Sequence, residues 1–141
     1  MPKSTRGGRS KNTISMAAAP GPQKVGKLTA KVASVLGLMQ RKNQPIMFGD
    51  SNRNHMQRKH PEAYKKYGKH IPQIISHPDY VGLDDEDGSI EYVKGFKVDG
   101  AYVKVAVRAD RDNKVLFARS IYELEPGWVE RAIENGRLKK V

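Results

Sequence analysis

The 141-residue chain has no cysteine. That excludes disulfide bridges, thiolate metal sites and a cysteine nucleophile, and leaves the redox compartment open. Aromatic residues are scarce at 7%, with one tryptophan, and hydrophobic residues amount to 38%, so the core is modest. No apolar run approaches the roughly 18 residues that a membrane-spanning helix needs, which excludes such a helix. The opening segment MPKSTRGGRSKNTISMAAAP carries basic residues, but its apolar part is only three alanines, a poor secretory signal. Acidic residues are nearly missing from one half. Met1 to His70 holds 15 Lys+Arg against 2 Asp+Glu, a charge of +13, whereas Ile71 to Val141 holds 11 against 13, a charge of −2. A cationic half beside a near-neutral one points to a polyanionic partner, most simply nucleic acid. Lys3, Arg6, Arg9 and Lys11 read instead as solubilising charge on a tail.

The chain divides into a basic tail or linker over residues 1–23, rich in Gly, Ser, Pro and Ala, and one α+β domain over 24–141. Val25, Leu28, Val32, Val35 and Leu36 recur at helical spacing, which predicts a helix from Val25 to Leu38. Gln44 to Gly49 reads as extended because Pro45 opposes helix. Asp50-Ser51-Asn52 offers an N-cap for a helix over Arg53–Lys59. Pro61–Tyr67 and Ile71–Ser76 read as further helical segments. The period then changes. Ser89–Lys97, Tyr102–Arg108 and Lys114–Ser120 are β-rich runs of strand length. They are joined by a two-residue Asp99-Gly100 turn and a tight turn at Asp110–Asn113. A last helix spans Trp128–Glu134. The expected architecture is N-terminal helices packed on a C-terminal antiparallel β-meander.

Alternation along the strands separates two faces. If Ala109 pairs with Lys114, Val103, Val105, Val107, Leu116 and Ala118 form an apolar face for the helices. Lys104, Arg108 and Arg119 then share the other face with Tyr102 and Phe117, a cationic and aromatic set suited to a phosphodiester with stacked bases. Lys94 falls on the apolar face unless a bulge at Gly95 turns it outward, and Ser120 falls on the apolar side.

All four histidines lie between His55 and His77. Zinc binding finds little support: His55 and His60 stand five apart, and no cysteine assists. The acidic loop Gly82–Gly88 lacks calcium-loop spacing and reads as a solvated turn. Metal-free RNA cleavage needs a base for the 2′-hydroxyl, an acid for the leaving 5′-oxygen, and cations around the phosphate. Imidazole serves as either acid or base near neutral pH. His in the helical part and cations on the sheet supply these types. Two other readings use the same charge: a non-catalytic RNA- or DNA-binding module, and an interaction domain for an acidic protein.

The order NHMQRKHPEAYKKY, IISHPDYVG, SIEYVKGF, YVKVAVR and ARSIYEL resembles the phage-associated Barnase–EndoU–colicin–RelE-like (BECR) nuclease domains over roughly Pro45 to Val141. The resemblance implies helices on a four-stranded antiparallel sheet, a ribonuclease site on the open sheet face, and cleavage without metal or other cofactor, often of tRNA. It implies a toxin or a phage or mobile-element effector, acting in the cytoplasm and delivered by a secretion or phage system. An acidic immunity or antitoxin protein is the implied partner. Carried onto this chain, the catalytic set is His55, His60, Lys94, Arg119, Ser120 and Tyr122. Lys104, Arg108, Tyr102 and Phe117 join it as substrate-binding residues from the reading of the sheet faces.

Overall fold

The computed structural model describes residues 21–112 and 114–141. Most of the basic tail read over residues 1–23 lies outside them. A mixed seven-stranded sheet organises the domain, with strand order β1-β2-β6-β5-β4-β3-β7. Three long antiparallel strands form its centre: β4 (Ile90–Phe96), β5 (Ala101–Ala109) and β6 (Leu116–Leu124). On one side β6 is joined, in parallel, by β2 (Pro45–Phe48), which pairs with β1 (Gln23–Lys27). On the other side β3 (Tyr80–Leu83) joins β4 and carries β7 (Leu138–Lys140) at the edge. The meander is therefore extended at both ends by short strands: β2 falls in the Gln44–Gly49 segment read as extended, whereas β1, β3 and β7 come from segments with no strand-length pattern.

The helix expected from Val25 to Leu38 splits. Residues 23–27 become β1, and α1 (Ala30–Leu36) begins only after them. Thr29 is the switch: its Oγ1 accepts from the Val32 N–H at 3.2 Å, a side-chain cap that starts the helix there. Gly26 lets the strand lie against helix α4 (Ile71–Ser76), since a Cβ at that position would come within 2.8 Å of Ile75.

Helix α2 (Asp50–Lys59) starts earlier than expected. Gly49 is its N-cap, and Asn52 reaches back to accept the Gly49 N–H at 2.9 Å. The helix ends at His60, whose φ of −138° and ψ of 61° break the α geometry just before Pro61. A residue preceding proline is pushed out of the α region. Helix α3 (Pro61–Tyr67) then sets off in a new direction from the same residue.

Val103, Val105, Val107, Leu116, Ala118 and Ile121 are buried and pack with Phe48, Met56, Tyr67, Ile71 and Ile74. This is the expected apolar face covered by α1 to α4. Helix α5 (Pro126–Glu134) does not join them. It packs with Val93, Leu138, Tyr102 and Leu124 in a second, smaller core on the opposite face. Helices thus lie on both sides of the sheet, and the arrangement of N-terminal helices followed by a meander is corrected accordingly.

Two register details reposition side chains. The β4–β5 connection is a four-residue loop over 97–100, with Phe96 paired to Ala101. The pairing runs without a bulge at Gly95, so Lys94 stands opposite Val103 on the helix-covered face. Between β5 and β6, Ala109 pairs with Leu116 rather than Lys114, and a bulge falls between Ala106 and Val107: Ala106 faces Ser120, but Val107 faces Ala118. Arg119 is the extra residue. The bulge turns Ser120 and Tyr122 onto the same face as Lys104 and Ala106.

Candidate active site

The open face of the sheet, left uncovered by α5, holds a cleft of about 240 Å³. Ala106 is part of its lining, and its small side chain leaves room between larger neighbours. In the same cross-strand row stand Glu91 on β4 and Ser120 on β6. Lys104 and Tyr122 form the next row, and Arg108 stands one step the other way. His55, Arg119, Ser89, Asp84 and Asp87 complete the lining.

How a helical histidine reaches a sheet face follows from topology. β2 pairs only with Leu116 and Phe117 of β6. Beyond them, the outer edge of β6 is flanked by helices α2 and α3. His55 from α2 enters the cleft over this edge. His60, at the bend between the helices, sets its ring edge-on to Tyr122 with centroids 4.2 Å apart. Five residues would separate two side chains poorly on one straight helix; the bend at Pro61 removes that constraint. Burial pushes the His60 pKa below the ordinary imidazole value, and the nearby charges of His55, Lys104 and Lys59 push it the same way.

The floor is an ion cluster. Glu91 is 1% exposed, and its Oε2 accepts from Lys104 Nζ and Arg137 Nη2, both at 3.0 Å. Its Oε1 is also buried and accepts no hydrogen bond among the described residues. Lys104 in turn lies 4.7 Å above the Tyr122 ring, and Arg137 lies 5.7 Å from the Trp128 ring. Two cations are thus fixed by one buried carboxylate and by aromatic faces. The acidic loop is more than a solvated turn. Asp84 accepts the backbone N–H groups of Glu86 and Asp87, and the loop aims Asp84 at Arg137 (3.5 Å) and Asp87 at Arg108 (3.2 Å). Ser89 N–H and hydroxyl bonds, together with Arg108, hold the Asp87 carboxyl below its ordinary pKa. Among the described residues no three His, Asp or Glu side chains form a metal-holding cluster.

Of the residues singled out from sequence, His55, Arg119, Ser120, Tyr122, Lys104 and Arg108 line this one cleft, with His60 against Tyr122. Lys94 is elsewhere: its Nζ donates to the His77 carbonyl at 2.9 Å, on the helix-covered side. Tyr102 packs under α5, away from the hollow. Phe117 lies next door, in an adjoining depression. Sequence reasoning missed Glu91, Ser89, Arg137 and Trp128. Glu91 carried a usable signal, since strict alternation in SIEYVKGF sets it beside the face of Ala106 and a lone acid among strand cations asks for a partner.

No curated protein and no solved structure matches the chain. The sequence model of one family matches residues 23–131, from β1 into α5, and so takes in the sheet centre, both histidines and the bulge. On that match, with His55 lining a cationic cleft on the open sheet face and His60 against its Tyr122, the chain belongs to the phage-Barnase-EndoU-ColicinE5/D-RelE like nuclease3 family.

Proposed function

We propose that this nuclease is a metal-independent endoribonuclease working at the Ala106 hollow. The observation that carries the reading is the meeting of His55 with Lys104, Arg108, Arg119, Ser120 and Tyr122 around one cleft, with His60 set against the Tyr122 ring at its margin. RNA brings its own nucleophile. A neutral imidazole takes the 2′-hydroxyl proton, the 2′-oxygen bonds to phosphorus, and the P–O5′ bond breaks. A protonated group delivers a proton to the departing 5′-oxygen, leaving a 2′,3′-cyclic phosphate. His60 fits the acceptor, since its lowered pKa keeps it neutral at pH 7. His55, lining the cleft, fits the donor. Arg119 and Arg108 neutralise the phosphoryl oxygens as charge builds, Lys104 adds a fixed cation, and the Ser120 and Tyr122 hydroxyls orient the group.

In this reading RNA is the partner and tRNA the expected target. An acidic immunity protein would meet the same cationic face. The test is purified protein with total tRNA and a short oligonucleotide in EDTA. The expected result is endonucleolytic fragments ending in 2′,3′-cyclic phosphate, and resistance of a substrate with a single 2′-deoxy group at the cleaved position. Intact RNA at micromolar protein overturns it.

A further inference from the structure

A second depression, of about 500 Å³, opens beside the cleft. It is lined by Ser51 and Asn52 at the start of α2, by Phe117, and by Arg108, Arg111 and Arg119. Its volume lies within the roughly 300–1,000 Å³ of small-molecule sites. Arg108 and Arg119 belong to both concavities, so the two adjoin.

The charge here is less compensated than in the cleft. Lys104, Arg137 and Arg108 have carboxylate partners there. Arg111 and Arg119 are exposed and have no ion-pair or hydrogen-bond partner among the described residues. The acid in this lining, Asp110, is engaged: its Oδ1 accepts the Lys114 N–H at 3.1 Å. Two free guanidinium groups beside a half-exposed phenyl ring match a phosphate with a stacked base. The Ser51 hydroxyl and the Asn52 amide edge the same hollow.

Resting on the ribonuclease reading, we infer that this depression holds the nucleotide adjoining the scissile phosphate on one side, making the enzyme selective for single-stranded segments longer than a dinucleotide. Arg111 takes the flanking phosphate, Phe117 stacks the flanking base, and Arg119 bridges the two phosphates. A loop such as one in a folded RNA, with unstacked bases, presents this geometry, whereas a regular duplex does not.

Two arms test it. In the first, kcat/KM is compared for a dinucleotide and for oligonucleotides lengthened by two residues on the 5′ or the 3′ side. Lengthening on one side raises kcat/KM about tenfold or more, as one charge-assisted phosphate contact and one stack warrant, and Arg111→Ala returns the ratio of long to short towards one. No gain on either side, or a gain untouched by Arg111→Ala, overturns the inference.

The second arm does not need cleavage. A fluorescent, non-cleavable 2′-O-methyl hexamer is titrated by anisotropy against the full chain at several salt concentrations. Arg111→Ala lowers the slope of log K against log salt by about 0.7, the share of one single-strand phosphate. An unchanged slope overturns the flanking site. If neither RNA is cut but the slope falls, the catalytic reading fails while the binding groove stands.

Discussion

The two faces of the central sheet are built from alternate residues of the same three strands, yet they answer to different physics. On the helix-covered face Val103, Val105, Val107 and Ile121 are fully buried, and their worth lies in apolar area removed from water. On the open face Glu91, Lys104, Arg108, Ser120 and Tyr122 surround a hollow, and the contacts there are ionic or aromatic. One residue of slippage would exchange the two sets. The bulge at Arg119 does a local version of this: upstream of it Leu116 and Ala118 alternate into the core, and downstream Ile121 does. The extra residue re-phases β6 so that Ser120 and Tyr122 join the hollow. The division implies that the hollow should be breakable through activity alone and the helix-covered face through stability alone.

The largest expected effect is on the open face. His55→Ala should lower kcat for RNA cleavage about 10²- to 10⁴-fold, with a thermal midpoint close to that of the parent, since His55 is half-buried in the cleft and makes no hydrogen bond among the described residues. A matched loss of folding would mean that His55 is a packing residue. The mirror experiment is Ile121→Ala. It removes a fully buried side chain and should cost about 3 kcal/mol in denaturant unfolding, while kcat per folded molecule is retained. A large loss of kcat in a folded variant would break the division of labour.

Glu91 sharpens the comparison because it breaks the rule: it is on the open face but as buried as the core. Glu91→Gln keeps the shape and removes the charge that compensates Lys104 and Arg137. Removing one partner of a buried ion cluster costs about 3 kcal/mol, so stability should fall about as far as in Ile121→Ala. Unlike that variant, Glu91→Gln should also lose activity, through the misplaced Lys104. Denaturant unfolding and RNA cleavage measured on the same sample decide it; loss of only one property would return Glu91 to the ordinary behaviour of one face.

How much of this was legible in the sequence follows from the range of each signal. The apolar positions of β5 alternate cleanly, and the cations between them read directly as the opposite face. Helix α3 runs over Pro61–Tyr67 as read from the sequence. What failed depended on distant partners. β3 and β7 span four and three residues and are strands only because β4 offers β3 an edge and β3 in turn offers one to β7. β1 reads as helical because Val25 and Leu28 fit both periods; the boundary is marked by Thr29, the cap that starts α1 after them. Lys94 was carried to the site by resemblance, whereas its backbone pairing with Val103 turns it to the other side. The arrangement of Arg119, Ser120 and Tyr122 could not be derived from alternation at all, since a bulge interrupts it. The convergence of His55 and His60 needed the bend at Pro61, a signal present in the sequence and used only to start a helix.

The smallest expected effect concerns a single proton. A His60 pKa below the ordinary value of about 6.5 has two consequences. The unfolded chain takes up the proton first as pH falls, so the contribution of this group to stability is complete above pH 6.5 and declines below it, towards the folded-state pKa. If the neutral ring accepts the 2′-hydroxyl proton, the acidic limb of kcat/KM lies below 6.5 as well. The causes of the shift are burial first, then His55, Lys104 and Lys59, and each can be removed in turn. Tyr122→Ala uncovers the ring and should raise the His60 pKa most, as followed by the imidazole Cε1 proton in an NMR titration. His55→Ala should raise it less, Lys104→Met less again, and Lys59→Ala least. This order tracks electrostatics and solvent access at one ring rather than global stability. A His60 that titrates at or above 6.5 in the native protein would show that burial and the neighbouring cations do not govern this ring, and would remove the ground for assigning the base to His60 over His55.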